Sequence, residues 1–306
     1  MVYNIDKLFD AVKNKGHVCV GLDTCIDYVP ASERKSTQNN AETVLAYNKV
    51  LIDATLDISA CYKVQIAYYE EMGIEGLKAY SETLKYIRAK GCLVIADIKR
   101  GDIADTAARY VKAHFSGDFE ADFVTISPYM GMDSVEPWIK EAQASGKGAF
   151  VLMRTSNPGM RDFQYITINN EQLTDKKDLI TMSRRRVYNV VGDKLSSLAV
   201  QYCGECGYGL FGAVVGCTEK EEASVIRNNY SNLFFLIPGY GAQGGGAKDA
   251  ALLLRKGNGG VVNASRSIIA AWKTVNSEQL TVKNEFAAEE ARKAAIKMRD
   301  EIRNEI

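Results

Sequence analysis

Val94-Ile95-Ala96-Asp97-Ile98-Lys99-Arg100-Gly101-Asp102-Ile103-Ala104-Asp105-Thr106 decides what kind of fold this chain can adopt. The apolar run from Cys92 to Ala96 predicts a short buried strand, and it ends in Asp97-Ile98-Lys99. Side chains two apart on a strand share a face, so Asp97 and Lys99 are expected side by side at its C-terminal end. Gly101 breaks the run, and Asp102 to Thr106 opens a helix. One reading is a surface turn laced with ion pairs, which contribute little. The other is a ligand site, because the C-terminal ends of strands form the ligand face of parallel α/β architectures.

The same strand-and-helix unit repeats outward from this stretch. Val18 to Leu22, Ala60 to Ile66, Phe123 to Ile126, Ala149 to Met153, Leu210 to Val215, Leu233 to Ile237 and Gly260 to Val262 read as further strands. Helical periodicity separates them over Ala41 to Leu56, Gly73 to Ala89, Ile103 to Phe115, Asp133 to Ala144, a segment ending near Gly204, Glu219 to Arg227 and Ala247 to Arg255. Asp133 is the expected N-cap of its helix. Ile5, Leu8, Phe9 and Val12 give an amphipathic helix ahead of the first strand, ended by Gly16, and another helix runs from Asn284 to the C-terminus. Eight β/α units without linkers predict a single domain over residues 1–306. Its expected class is α/β, a (β/α)8 TIM barrel with an N-terminal helix and an extra C-terminal helix. A doubly wound sheet is the alternative, but Gly21-Leu22-Asp23-Thr24 after the first strand is no dinucleotide fingerprint. The segment from about Gly159 to Lys177 is long for a strand-to-helix loop. It reads as a lid or a disordered excursion.

With 306 residues, 46% of them hydrophobic, the chain has material for a large core. A formal net charge of zero offers no general attraction to nucleic acid or an anionic membrane. No stretch reaches the length of a membrane span, and the N-terminal residues lack a signal-peptide core. The cytoplasm is the expected location. The odd count of seven cysteines, several in apolar runs, points to reduced thiols. Cys203-Gly204-Glu205-Cys206 is a lone C-x-x-C with no second pair or nearby histidine, a weak signal for redox or zinc chemistry. His114 falls on a helix and reads as a packed or surface residue.

Asp23, Lys63, Asp97, Lys99, Ser156, Gln243 and Arg266 all fall at or near strand ends on one face of the inferred barrel. Barrels commonly hold phosphate after strands seven and eight. Here Pro238-Gly239-Tyr240-Gly241-Ala242-Gln243-Gly244-Gly245-Gly246 offers backbone N–H groups and a helix N-terminus, and Arg266 a forked cation. A flexible turn is the alternative reading of the glycines. The stretch is not a Walker loop, because the Gly-Lys-Ser/Thr ending is missing.

Asp97-Ile98-Lys99-Arg100-Gly101-Asp102-Ile103 with Thr106 resembles the signature of the orotidine 5'-monophosphate decarboxylase family. Lys63 in Tyr-Lys-Val-Gln, Ser156 in Thr-Ser-Asn-Pro-Gly, Gln243 in Pro-Gly-x-Gly-Ala-Gln-Gly-Gly and Arg266 in Ser-Arg-Ser match in the family's order, from about residue 17 to 270. The long segment after strand five and Asn263-Ala264-Ser265 resemble its longer bacterial branch.

The resemblance implies an enzyme that converts orotidine 5'-monophosphate to UMP and carbon dioxide. It implies no metal and no cofactor. Lys99 is then the proton donor to C6, and Asp97 lies beside the departing carboxylate. Asp23 and Lys63 hold ribose hydroxyls and join the charged array. Ser156 reads the pyrimidine edge, Pro238 lines the pocket, and Gln243 and Arg266 hold the phosphate. Asp102, Ile103 and Thr106 reach into the partner's site, which implies a homodimer with shared sites. Losing carbon dioxide from C6 leaves a carbanion with poor delocalisation, so stabilisation must be electrostatic and preorganised. Two flanking carboxylates favour an ammonium at Lys99. The rivals are a metal-dependent sugar-phosphate decarboxylase or aldolase on the same barrel, a Schiff-base aldolase, and a non-catalytic nucleotide-binding protein. A Schiff-base enzyme needs its lysine neutral, which adjacent carboxylates oppose.

Overall fold

A computed structural model describes residues 2–34, 39–168, 185–275 and 282–306. Eight short strands carry the core: β1 (Val18–Gly21), β2 (Cys61–Gln65), β3 (Leu93–Arg100), β4 (Phe123–Ile126), β5 (Gly148–Arg154), β8 (Phe211–Val215), β9 (Phe235–Ile237) and β10 (Gly260–Ala264). They close in the order β1-β10-β9-β8-β5-β4-β3-β2, every neighbouring pair parallel. Both faces of such strands are covered, so they read as nearly continuous apolar runs instead of alternating ones. Phe123, Phe150, Val20 and Val262 are fully buried or nearly so.

The outer layer consists of α2 (Asn40–Thr55), α3 (Ala67–Glu70), α4 (Gly73–Ala89), α5 (Ala104–Phe115), α6 (Glu136–Ser145), α7 (Val187–Gln201), α8 (Lys220–Asn229), α9 (Ala247–Ala251), α10 (Arg266–Ile269) and α11 (Trp272–Val275). Two helices lie outside the repeat, α1 (Asn4–Lys15) and α12 (Asn284–Arg303). In α12, Ala287, Ala291, Ala295, Met298 and Ile302 form one buried stripe that packs on α2 and α10. The (β/α)8 barrel with its two extra helices is thus the fold.

Three local expectations need correction. Asp133 does not cap α6. Its carboxylate accepts the Ser134 N–H at 3.1 Å inside a separate turn over Met132–Ser134. Pro137, which lacks an N–H, belongs in a first turn and sets the helix start at Glu136. The helix expected over Ala247 to Arg255 stops at Ala251. Beyond it Leu253 and Leu254 tuck into the core through tighter three-residue turns. The segment after β5 also carries structure: β6 (Thr167–Ile168) and β7 (Arg185–Arg186) pair antiparallel at the base of an excursion leading into α7. The part of the Gly159 to Lys177 segment from residue 169 on lies outside the described residues.

Candidate active site

The charged stretch at the end of β3 is not a regular strand end. The pairing of β3 with β4 shifts between Ala96 and Arg100, and Lys99 takes a positive φ of 47°. That irregularity leaves the Ile98 and Lys99 N–H groups without ladder partners. Both donate to Thr125 Oγ1 at 3.0 Å, and the Thr125 hydroxyl donates to Asp97 Oδ1 at 2.7 Å. One hydroxyl on β4 thereby fixes the bulge and the carboxylate together. The bulge leaves Asp97 and Lys99 on one side, as expected, with Lys99 Nζ 2.6 Å from Asp97 Oδ1.

From Asp97 the charges alternate inward. Lys63, on β2, lies 3.0 Å from Asp97 Oδ2 and 2.9 Å from Asp23 Oδ1. Ser265 donates to Asp23 Oδ2 at 2.9 Å, and Gln65 donates to Asp97 Oδ2 at 3.0 Å. Gly21 permits the Ser265 contact, because a Cβ there would sit 2.0 Å from Ser265 Oγ. The Lys63 and Asp97 side chains are only 6% and 8% exposed, so both charges depend on these partners. Burial works against the Lys63 ammonium, but Asp23 and Asp97 outweigh it and hold its pKa above the ordinary lysine value. Burial alone would raise the Asp97 carboxyl. Lys63, Lys99 and the Thr125 hydroxyl reverse that and hold it far below the usual carboxylate range.

A cavity of about 690 Å³ opens over this array, within the size range of small-molecule sites. Asp23, Lys63, Asp97, Lys99, Ser156, Pro238, Gln243 and Arg266 all line it. Lys99 is half exposed at 47%, yet it faces the same cavity as the glycine-rich turn. That turn is tightly folded, with Gly239, Gly241 and Gly244 at positive φ. Gly241 N–H donates to Gly245 O and Gly244 N–H to Gly241 O. The expected helix N-terminus contributes little to an anion site. Helix α9 has only five residues, and the Asp249 carboxylate already takes the Gly246 N–H at 2.9 Å. Arg266 and Gln243 face the same cavity with a cationic and an amide side chain.

Asp102, Ile103 and Thr106 do not line the cavity of their own chain. Asp102 is partly exposed, and Ile103 and Thr106 are exposed. Sequence reasoning missed Gln65, Thr125, Asn263 and Ser265, which hold or flank the array. It also missed Tyr28, Tyr68, Asn157 and Tyr240, which share the cavity wall. A threonine third in Phe-Val-Thr-Ile and a glutamine two beyond Lys63 were the available signals. Tyr240 ties the cavity to the C-terminal helix, donating to Glu301 Oε2 at 2.5 Å.

The remaining titratable candidates lie elsewhere. All seven cysteines are free thiols, and burial pushes Cys206 up to about 12, which makes a poor redox thiol. His114 is buried and stacks on Phe119. Among the described residues no group of three His, Cys, Asp or Glu converges as metal ligands, and no helix is long and apolar enough to cross a membrane.

A family model described as Orotidine 5'-phosphate decarboxylase / HUMPS family matches residues 16–278. An orotidine 5'-phosphate decarboxylase of Clostridium kluyveri is 52% identical over 298 residues, covering 97% of this chain and 96% of the relative. One from Clostridium novyi is 50% identical over 305 residues, covering 100% of both. Among solved structures, Leishmania donovani OMP decarboxylase aligns with a TM-score of 0.73 at 29% identity, over 99% of this chain and 98% of that one. Leishmania donovani UMP synthase aligns with a TM-score of 0.73 at 31% identity, over 98% of this chain and 57% of that longer one. With that coverage and identity, the chain belongs to the orotidine 5'-phosphate decarboxylase family.

Proposed function

We infer that this protein decarboxylates orotidine 5'-monophosphate to UMP and carbon dioxide, the last step of de novo UMP synthesis. The observation that carries this reading is the Lys99–Asp97 pair, set in one cavity with Ser156, Gln243 and Arg266. In this reading the C6–carboxylate bond breaks heterolytically, its electron pair stays on C6, and carbon dioxide leaves. Lys99 gives its proton to C6. Asp97 repels the substrate carboxylate and holds the ammonium beside the developing carbanion, an electrostatic stabilisation that needs no reorganisation during the step. Enzymes lower barriers by about 8–23 kcal/mol, and no single contact supplies that much. Phosphate binding at Gln243 and Arg266 contributes by ordering the array at a distance.

Asp23 and Lys63 hold the ribose hydroxyls, Ser156 reads the pyrimidine edge, and Pro238 lines the wall beside it. The surface position of Asp102, Ile103 and Thr106 supports a homodimer in which each chain completes its partner's site. The whole chain acts as one catalytic domain, in the cytoplasm. Incubation with orotidine 5'-monophosphate plus a chelator tests the assignment. Loss of the substrate's ultraviolet absorbance with formation of UMP is expected. Turnover that requires added magnesium would favour the sugar-phosphate rival, and UMP binding without turnover the non-catalytic one.

A further inference from the structure

Ser156 sits in a loop held from two directions. On the barrel side, the Thr218 hydroxyl donates to Ser156 O at 3.1 Å, and Gly216 lies so close that a Cβ there would meet Ser156 at 2.7 Å. On the other side the contact comes from the excursion between β5 and α7. The Thr155 N–H donates to Gln164 Oε1 at 2.8 Å, and Gln164 Nε2 donates back to Thr155 Oγ1 at 2.9 Å. The Thr155 hydroxyl then donates to Asn157 Oδ1 at 2.7 Å. A single amide thus fixes both backbone and side chain of the residue before Ser156, and through it the residue after.

Gln164 is itself rigidly placed. Tyr188 N–H donates to Gln164 O at 3.1 Å, and Val187 N–H donates to Ile166 O at 3.0 Å, which closes the base of the excursion. Glu222 on α8 anchors that base. It accepts from Tyr165 Oη at 2.7 Å and Tyr188 Oη at 3.2 Å, and it pairs with Arg186, whose guanidinium lies over the Tyr165 ring. Arg161 adds a forked pair to Glu219 at 2.8 Å.

We propose that Gln164 is a positioning residue for base recognition, its side-chain amide setting the Thr155–Asn157 loop so that Ser156 meets the pyrimidine edge. This rests on the assignment of Ser156 above. Gln164 does not line the cavity. Its effect is therefore confined to the part of a nucleotide that Ser156 reads and does not extend to the phosphate held across the cavity by Gln243 and Arg266.

Calorimetric titration of the full-length protein with UMP and, separately, ribose 5-phosphate tests this. Gln164→Ala is expected to weaken UMP about tenfold, equivalent to about 1.4 kcal/mol, and to leave ribose 5-phosphate within about twofold, a shift too small to reflect a lost hydrogen bond. Gln164→Glu, which keeps the side chain's size and the Oε1 acceptor for the Thr155 N–H but loses the Nε2 donor, is expected to show a smaller loss of the same kind and serves where Gln164→Ala does not fold. Equal losses for both ligands, or no loss for UMP, would overturn the positioning role. A wild-type protein with no preference for UMP over ribose 5-phosphate would instead overturn the base-reading assignment, and this proposal with it.

Discussion

Replacing Thr125 by valine removes one oxygen at nearly constant shape and so isolates what that hydroxyl does. A hydroxyl has one donor and two acceptor sites, and here all three are used, by Asp97, Ile98 and Lys99. The valine leaves two backbone N–H groups without a partner and takes one donor from Asp97 Oδ1, which keeps Lys99 Nζ. Each unsatisfied group costs about 1–3 kcal/mol. Partial relaxation of the bulge puts the net loss near the low end of the sum for two groups, about 2 kcal/mol, a drop of about 3 °C in Tm for a chain this long. Thr125→Ser keeps the oxygen and gives up one methyl, a loss of about 1 kcal/mol. Urea unfolding at one fixed protein concentration measures both. The valine also frees Asp97 and the Lys99 backbone to move, and displacement on the order of 1 Å lowers kcat about 100-fold. KM should change little, because the groups facing base and phosphate stay in place. A valine variant that unfolds at the wild-type urea concentration and turns over at the wild-type rate would refute the role given to the bulge.

Lys99→Ala is expected to keep measurable UMP affinity and lose all turnover; turnover in this variant would remove Lys99 as the proton donor. Lys99→Ala and Asp102→Asn, each inactive alone, should regain about a quarter of wild-type activity when unfolded and refolded together in equal amounts. Half of the dimers are then mixed, with one intact site of two; no recovery would place Asp102 in its own chain's site. His17 and His114 are buried, and burial lowers each pKa to about 4 from about 6.5 in the unfolded chain. Between those values the unfolded state binds more protons, so stability falls as pH drops below about 6.5, by about 2 kcal/mol per histidine at pH 5. The urea midpoint at pH 7 and pH 5 measures this, and His114→Gln should remove about half of the difference, one of two equal contributions. An unchanged slope would show that His114 is protonated in the folded protein.

The barrel was legible because each strand is an apolar run and each helix an amphipathic one, a pattern set by burial on both sheet faces. The ends of elements were not. Asp133 has the right chemistry for an N-cap, but Pro137 decides where α6 begins. The site's charged residues were also legible, since Asp97, Lys99 and Lys63 have no structural reason to follow apolar runs. Their neutral supports were not. Thr125, Gln65 and Ser265 are residue types that any strand end tolerates, and their value comes only from what closure of the sheet brings opposite them. Gln164 lies at the base of an excursion whose pairing depends on residues about twenty positions away along the chain, so no local pattern marks it.

The order of charges explains why Lys99 can be the group that gives up a proton. Lys63 lies between two carboxylates, and Asp97 lies between two ammoniums. Removing either breaks two ion pairs at once, in a setting where the remaining charges have few other partners. Lys99 is the end member. It is half exposed, and when it is neutral Asp97 still has Lys63, Gln65 and Thr125. The fold therefore tolerates a transiently deprotonated Lys99 far better than it would a neutral Lys63. Its positive φ, a conformation costing about 1–3 kcal/mol for a non-glycine residue, persists because the Thr125 hydroxyl and the Asp97 carboxylate hold the two ends of the same residue. Backbone strain, bulge and the Lys99 ammonium are thus parts of one arrangement, and Lys99 is the charge whose loss leaves the Asp23–Lys63–Asp97 pairs intact.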